Sequence, residues 1–215
     1  MDFGRVLRAR RMVRRYDGRA VDEDVLTAVL AAALRAPSAG NSQGRDLLVL
    51  RRAADRDLFW ELTTRERGAG SAAGAAAGAV DDGWLAGMRT APVLVVLLAD
   101  PGAYAARYAR PDKPGPDRDA ATWQVPWPDV DTGMSGLLLL LAAVDAGLGA
   151  CLFGVPSAAH EAVRAAFGVP ADRRVVAVVG LGHPAPDERS RPSRRHRRTL
   201  ADTAHDGRFG APWGG

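Results

Sequence analysis

The residues of this chain best suited to chemistry are polar groups set in short clusters. Arg10, Arg11, Arg14 and Arg15 place four guanidinium groups within six residues. A guanidinium binds phosphate oxygens two at a time, so such a cluster can cradle a phosphate. On spacing alone, a solvated charge run is the favoured reading. The second cluster is "PSAGNSQG" at 37–44, between an Ala/Leu-rich run and the apolar "DLLVL". A connection of that kind needs few residues, yet this one carries Ser38, Asn41, Ser42 and Gln43. Those side chains can simply turn the backbone. The amides of Asn41 and Gln43 can also meet the edge of a planar heterocycle with alternating C=O and N–H groups. The third cluster is the tail run Arg189, Arg191, Arg194, Arg195, Arg197 and Arg198, which reads as an electrostatic patch without interleaved aromatics.

Other chemistries find no support. His160, His183, His196 and His205 lack metal-ligand spacing, and no GxSxG or P-loop is present. "GLGHP" follows a strand pattern but opens no helix, so it is not a dinucleotide fingerprint. Cys151 is the only cysteine, which leaves no intramolecular disulfide and no multi-cysteine metal site. The net charge of +4 is modest, and it does not by itself call for a nucleic-acid partner. The N-terminus has no signal-like apolar core, and the longest apolar run, 136–155, is broken by Asp145 and glycines. The expectation is a cytoplasmic protein with no metal, no nucleic-acid partner and no membrane span.

The elements that must hold these clusters follow from periodicity. Residues 3–11 suit a short helix. Asp22 suits the N-cap of a helix whose stripe is Val25, Leu26, Val29, Leu30 and Ala33, with Pro37 as its stop. "DLLVL", "APVLVVLLAD", "ACLFGV" and "DRRVVAVVGLG" read as strands, the second buried on both faces. Residues 54–66 read as a helix, and 68–80 is low-complexity Ala/Gly. Residues 101–130 carry Tyr104, Tyr108, Trp123 and Trp127, too many aromatics for a linker, and read as an ordered excursion over a site. Asp131 or Thr132 is expected to cap an apolar helix that Gly147 closes, and Ser157 to cap another. Interspersed helices and isolated strands imply an α/β or α+β sandwich in one domain, 1–215, with a basic arm at 189–215.

Three blocks in order, "RRMVRRYDGRAVDEDVLTAVLAAALRAPSAGNSQG", "DTGMSGLLLLLAAVDAGLGACLFGVP" and "VPADRRVVAVVGLGHPAP" with the arginines behind it, resemble the nitroreductase family of FMN-dependent flavoproteins. That resemblance implies an α+β, three-layer α/β/α sandwich with a mostly antiparallel central sheet. It implies an intertwined homodimer with FMN at the interface and residues of both subunits around it. Arg10, Arg11, Met12 and Arg14 fall where the family binds the phosphate and ribityl chain, Met12 replacing a serine. Pro37, Ser38, Ala39, Asn41 and Gln43 fall on the loop lining the flavin ring. Gly147, Leu148 and Gly149 match the segment beside the ring, and Arg195, Arg197 and Arg198 match basic residues that return to the phosphate. After Gln43 the family continues Pro-Trp or Pro-Phe, whereas this chain has Gly44 and Arg45.

The function implied is oxidoreduction: hydride from NAD(P)H passes through flavin N5 to an electron-poor acceptor such as a nitroaromatic or quinone, with no catalytic side chain required. Trp123 and Trp127 are expected to face substrate by stacking. The departures at Met12, Gly44 and Arg45 keep open a specialised relative that oxidises a ring. A non-catalytic flavin-binding protein and a basic nucleic-acid-binding module stand as further alternatives.

Overall fold

The computed structural model describes residues 2–69, 83–113, 119, 123–186 and 198–213. Four strands form one sheet: β1 (Arg45–Leu50), β2 (Val93–Ala99), β3 (Gly149–Phe153) and β4 (Arg174–Gly182). Their order is β1-β2-β4-β3, and each neighbouring pair is antiparallel. The helices are α1 (Phe3–Ala9), α2 (Glu23–Ala33), α3 (Ala53–Ala69), α4 (83–88), α5 (Pro101–Tyr108), α6 (Trp127–Asp145) and α7 (His160–Ala166).

Strand alternation builds the layers. Val93, Val95 and Leu97 of β2, with Ala177, Val179 and Leu181 of β4, face Leu26, Val29 and Ala33 of α2 and Leu139, Leu140 and Ala143 of α6. The intervening Leu94, Val96, Leu98 and Val178 point the other way, onto Phe59 and Trp60 of α3, Met88 of α4 and Val163 of α7. Period-two alternation thus splits one apolar run between two cores, and every residue of β2 is buried. The α+β three-layer sandwich expected from the sequence is present.

Helix starts account for the main differences. Asp22 caps α2 as expected, its Oδ1 accepting from the Asp24 and Val25 amides at 3.0 and 3.2 Å. The helix expected to start at Asp131 begins a turn earlier, at Trp127, because Pro128 sits in the first turn, where its missing N–H costs nothing. Asp131 is therefore no cap: it lies inside α6 and is 2% exposed. Ser157 makes no cap bond either; it opens a 3-10 turn leading into α7. Of the 68–80 segment, residues 70–80 lie outside the described residues, as do 189–197 of the basic arm.

The arginine cluster is not helical. After α1 ends, the chain becomes an extended strap over the end of the sheet. Val13 N–H donates to Ala150 O at 2.9 Å and Asp17 N–H to His183 O at 3.0 Å. The Tyr16 hydroxyl, buried, reaches both Val13 O at 2.7 Å and Gly180 O at 3.0 Å.

Candidate active site

The strap and the Gly147–Gly149 turn meet. Gly147 takes φ 75°, the left-handed conformation that closes α6, and Leu148 N–H returns to Ala143 O at 2.7 Å. Met12 bridges Ala150 in parallel sense and packs on both cores, so the residue in the serine position points its bulk inward. Arg11 and Arg14 are exposed and Arg10 half-buried. Neither Arg10 nor Arg11 is paired with a carboxylate among the described residues. The strap therefore presents the guanidinium groups of Arg10 and Arg11, without a carboxylate partner among the described residues, from a backbone fixed on β3.

The 37–44 loop lies at the other end of α6. Its Ala39 N–H donates to Asp131 Oδ2 at 2.7 Å, its Gln43 N–H to Ser38 Oγ at 2.9 Å, and its Ser42 hydroxyl to Ala39 O at 2.7 Å. Asn41 and Gln43 are the two non-glycine residues with positive φ among the described residues, at 53° and 54°. Such backbone costs on the order of 1–3 kcal/mol per residue and persists where surroundings enforce it. Both side chains are exposed, as is Pro37. Asp131 and the Gly147 turn are separated by roughly 22 Å at the rise of an α-helix. Within one chain, then, the strap with its turn and the polar loop occupy opposite ends of the same helix.

A model of the nitroreductase family matches residues 7–183. The chain belongs to the nitroreductase family. A Thermus thermophilus protein named NADH dehydrogenase is 33% identical over 204 residues, covering 86% of this chain and 87% of that one. Among solved structures, nitroreductase CinD from Lactococcus lactis, in complex with chloramphenicol, is similar with a TM-score of 0.72 at 19% identity over 96% of this chain and 100% of that one. A nitroreductase with bound FMN from Desulfitobacterium hafniense gives 0.63 at 21% identity, covering 84% and 87%.

In this nitroreductase-family chain the aromatic excursion is built around Tyr104. It starts as α5, with Asp100 Oδ1 capping Ala103 N–H at 3.2 Å. Tyr104 is buried, and Trp123 stands edge-on to it and to Tyr108, at ring distances of 6.2 and 4.8 Å. Trp123 also lines an open depression of about 450 Å3 with Val125, Pro126 and Pro128. Trp127 is the half-exposed first residue of α6. A polar groove of about 730 Å3 is lined by Gly40–Gln43 together with Arg107, Arg110 and Asp112. Arg107 donates to Gly40 O at 2.9 Å and forks onto Asp112 at 2.9 and 2.7 Å, holding the Asp112 carboxyl below the usual carboxylate range.

Arg198 is exposed and donates to the Asp202 carbonyl within a tail turn; Arg195 and Arg197 lie outside the described residues. Asp131, Tyr16 and Arg107 were not singled out from the sequence as site residues. The one signal for Asp131 was Pro128, which marks a helix start and puts the aspartate in the second turn rather than at the cap. Among the described residues, no group of three metal-ligating side chains forms, and no helix is long and apolar enough to cross a membrane.

Proposed function

We propose that this chain is an FMN-dependent oxidoreductase that passes electrons from NAD(P)H to an electron-poor acceptor such as a nitroaromatic or quinone. The observation that carries the reading is the strap–turn junction, where Arg10, Arg11 and Arg14 project from a backbone pinned to β3 inside a nitroreductase-family fold. The residues fit the cofactor. The guanidinium groups of Arg10 and Arg11, which meet no carboxylate among the described residues, suit its phosphate, and a Gly149 without side chain keeps the strap close to the turn. The exposed amides of Asn41 and Gln43 suit the polar edge of its ring.

Bound FMN would supply hydride acceptance and donation at N5. The chain's own part is to bind and orient. Arg10, Arg11 and Arg14, with Arg195, Arg197 and Arg198 from the tail, would neutralise the phosphate. Ser38, Asn41 and Gln43 would fix the ring edge by hydrogen bonds made from a loop whose backbone is already held by Asp131 and Ser38. Trp123 and Trp127 would shield the ring face and stack planar substrates.

The site would be shared between two copies. The outward face of α6 carries Val130, Leu137 and Leu141, and Phe3 and Leu7 of the adjoining α1 are exposed beside it. A contiguous apolar face of this kind marks an interface. A two-fold axis that pairs the α6 helices antiparallel would bring the polar loop of one copy to the strap of the other.

The test is an anaerobic absorbance spectrum of the purified protein with FMN, before and after NADH or NADPH. Flavin bands that bleach with the nucleotide are the expected result; protein that binds no FMN overturns the reading. A second reading, oxidation of a ring substrate, is favoured by Gly44, which packs against Tyr104 where family members carry proline. Steady NAD(P)H turnover with a simple quinone counts against it.

A further inference from the structure

The loop proposed to face the flavin rests on a buried carboxylate that hydride transfer does not use. Asp131 is 2% exposed within α6 and is reached from two directions. Its Oδ2 accepts from Ala39 N–H at 2.7 Å and from the Tyr104 hydroxyl at 2.7 Å. A buried carboxylate is unfavourable unless its charge is answered, and here both answers converge on one oxygen. Arg45 adds positive charge close enough to act on the Tyr104 phenol. Its Nη2 donates to the Leu34 and Ala36 carbonyls at 2.7 and 3.0 Å, while Nε and Nη1 are buried without partners. Gly44 completes the arrangement. A Cβ there would lie 2.6 Å from both Asp100 O and the Tyr104 ring, so a side chain at 44 would push Tyr104 off the carboxylate.

Shortly after Ala39, Asn41 and Gln43 both take positive φ, which a residue with a side chain rarely adopts. Conformations this sparsely populated need an anchor that over-determines them, and the Ala39 amide is the loop's bond to the rigid helix. We infer that Asp131 is the positioning residue of the 37–44 loop, acting with Tyr104 to fix where Asn41 and Gln43 present their amides. Gly44 and Arg45, two of the three departures from the family pattern, belong to this clamp. Its consequence for the cofactor rests on the proposed function; the clamp itself can be read without cofactor.

The experiment uses Asp131→Ala, Asp131→Asn and Tyr104→Phe. In cofactor-free protein, amide exchange at residues 39–43 is expected to accelerate at least tenfold in Asp131→Ala, with exchange in β2 and β4 unchanged. In FMN-titrated protein, the same variant is expected to weaken binding about 10–100-fold, the loss of one charge-assisted hydrogen bond, and to shift the flavin reduction potential. Asp131→Asn, which keeps an acceptor oxygen, recovers part of both effects. Tyr104→Phe keeps the ring and gives a smaller shift in the same direction, and it decides the matter if Asp131→Ala does not fold. Loop exchange that matches the wild type, or that rises only in step with β2 and β4, overturns the inference. Wild-type protein that binds no FMN overturns the proposed function instead, and the exchange data still judge the clamp.

Discussion

Val13 and Gly149 touch so closely that position 149 has no room for a side chain: a Cβ there would lie 2.7 Å from Val13 Cγ1 and 2.9 Å from Val13 Cβ. Gly149→Ala should push the strap off β3. We expect a loss of about 1–3 kcal/mol of stability, the usual cost of overpacking. FMN affinity should fall further than that, because Arg10 and Arg11 move with Val13. Urea denaturation of the cofactor-free protein alongside FMN titration separates the two effects.

Arg10 and Arg11 make no ion pair among the described residues, so removing both should leave folding nearly unchanged. FMN binding by Arg10→Ala/Arg11→Ala should weaken by about a hundredfold or more, since each of the two lost charge-assisted bonds contributes roughly 1.5–3 kcal/mol. Lysine at both positions should restore only part of it, lacking the planar fork. Fluorescence quenching of FMN at two salt concentrations checks this, with the variant showing the shallower salt dependence.

Tyr104 should make stability fall at alkaline pH. Burial, and then its hydrogen bond to Asp131, push the phenol well above its ordinary value of 10.0. A raised folded-state value contributes stability that is complete below the unfolded pKa and is lost as pH climbs past it. Above about pH 10, the unfolded chain releases a proton that the folded chain keeps. Wild type should therefore lose stability more steeply than Tyr104→Phe between about pH 10 and 11.5, by denaturation midpoints at fixed ionic strength.

Leu137, 49% exposed on α6, should be covered in the dimer. Leu137→Glu should give a monomer by sedimentation velocity and lose FMN with it, while far-UV circular dichroism stays native. A monomeric wild type at micromolar concentration, or a variant that keeps FMN as a monomer, would count against the shared site.

The layers were legible because β2 and β4 are apolar on both faces and α2 carries a clean stripe behind Asp22. The arginine strap was legible as a cluster but not as a strap, since nothing in "RARRMVRRY" states that Val13 pairs with Ala150. Asp131 was misread for a physical reason. An aspartate before an apolar run normally caps it, and its real partners, Ala39 and Tyr104, lie 92 and 27 residues away. Asn41 and Gln43 were legible as polar groups, but their left-handed backbone is fixed by contacts that single-residue preferences do not encode.

The distance between the two ends of α6 has a genetic consequence. If each site joins the strap of one copy to the loop of the other, a strap allele and a loop allele damage different halves. A mixed dimer of an Arg10→Ala/Arg11→Ala chain and an Asn41→Ala chain would then hold one site with both defects and one with neither. Two inactive alleles expressed together should recover measurable activity, with a ceiling of half the wild-type sites in each mixed dimer, whereas two alleles in the same half should never complement.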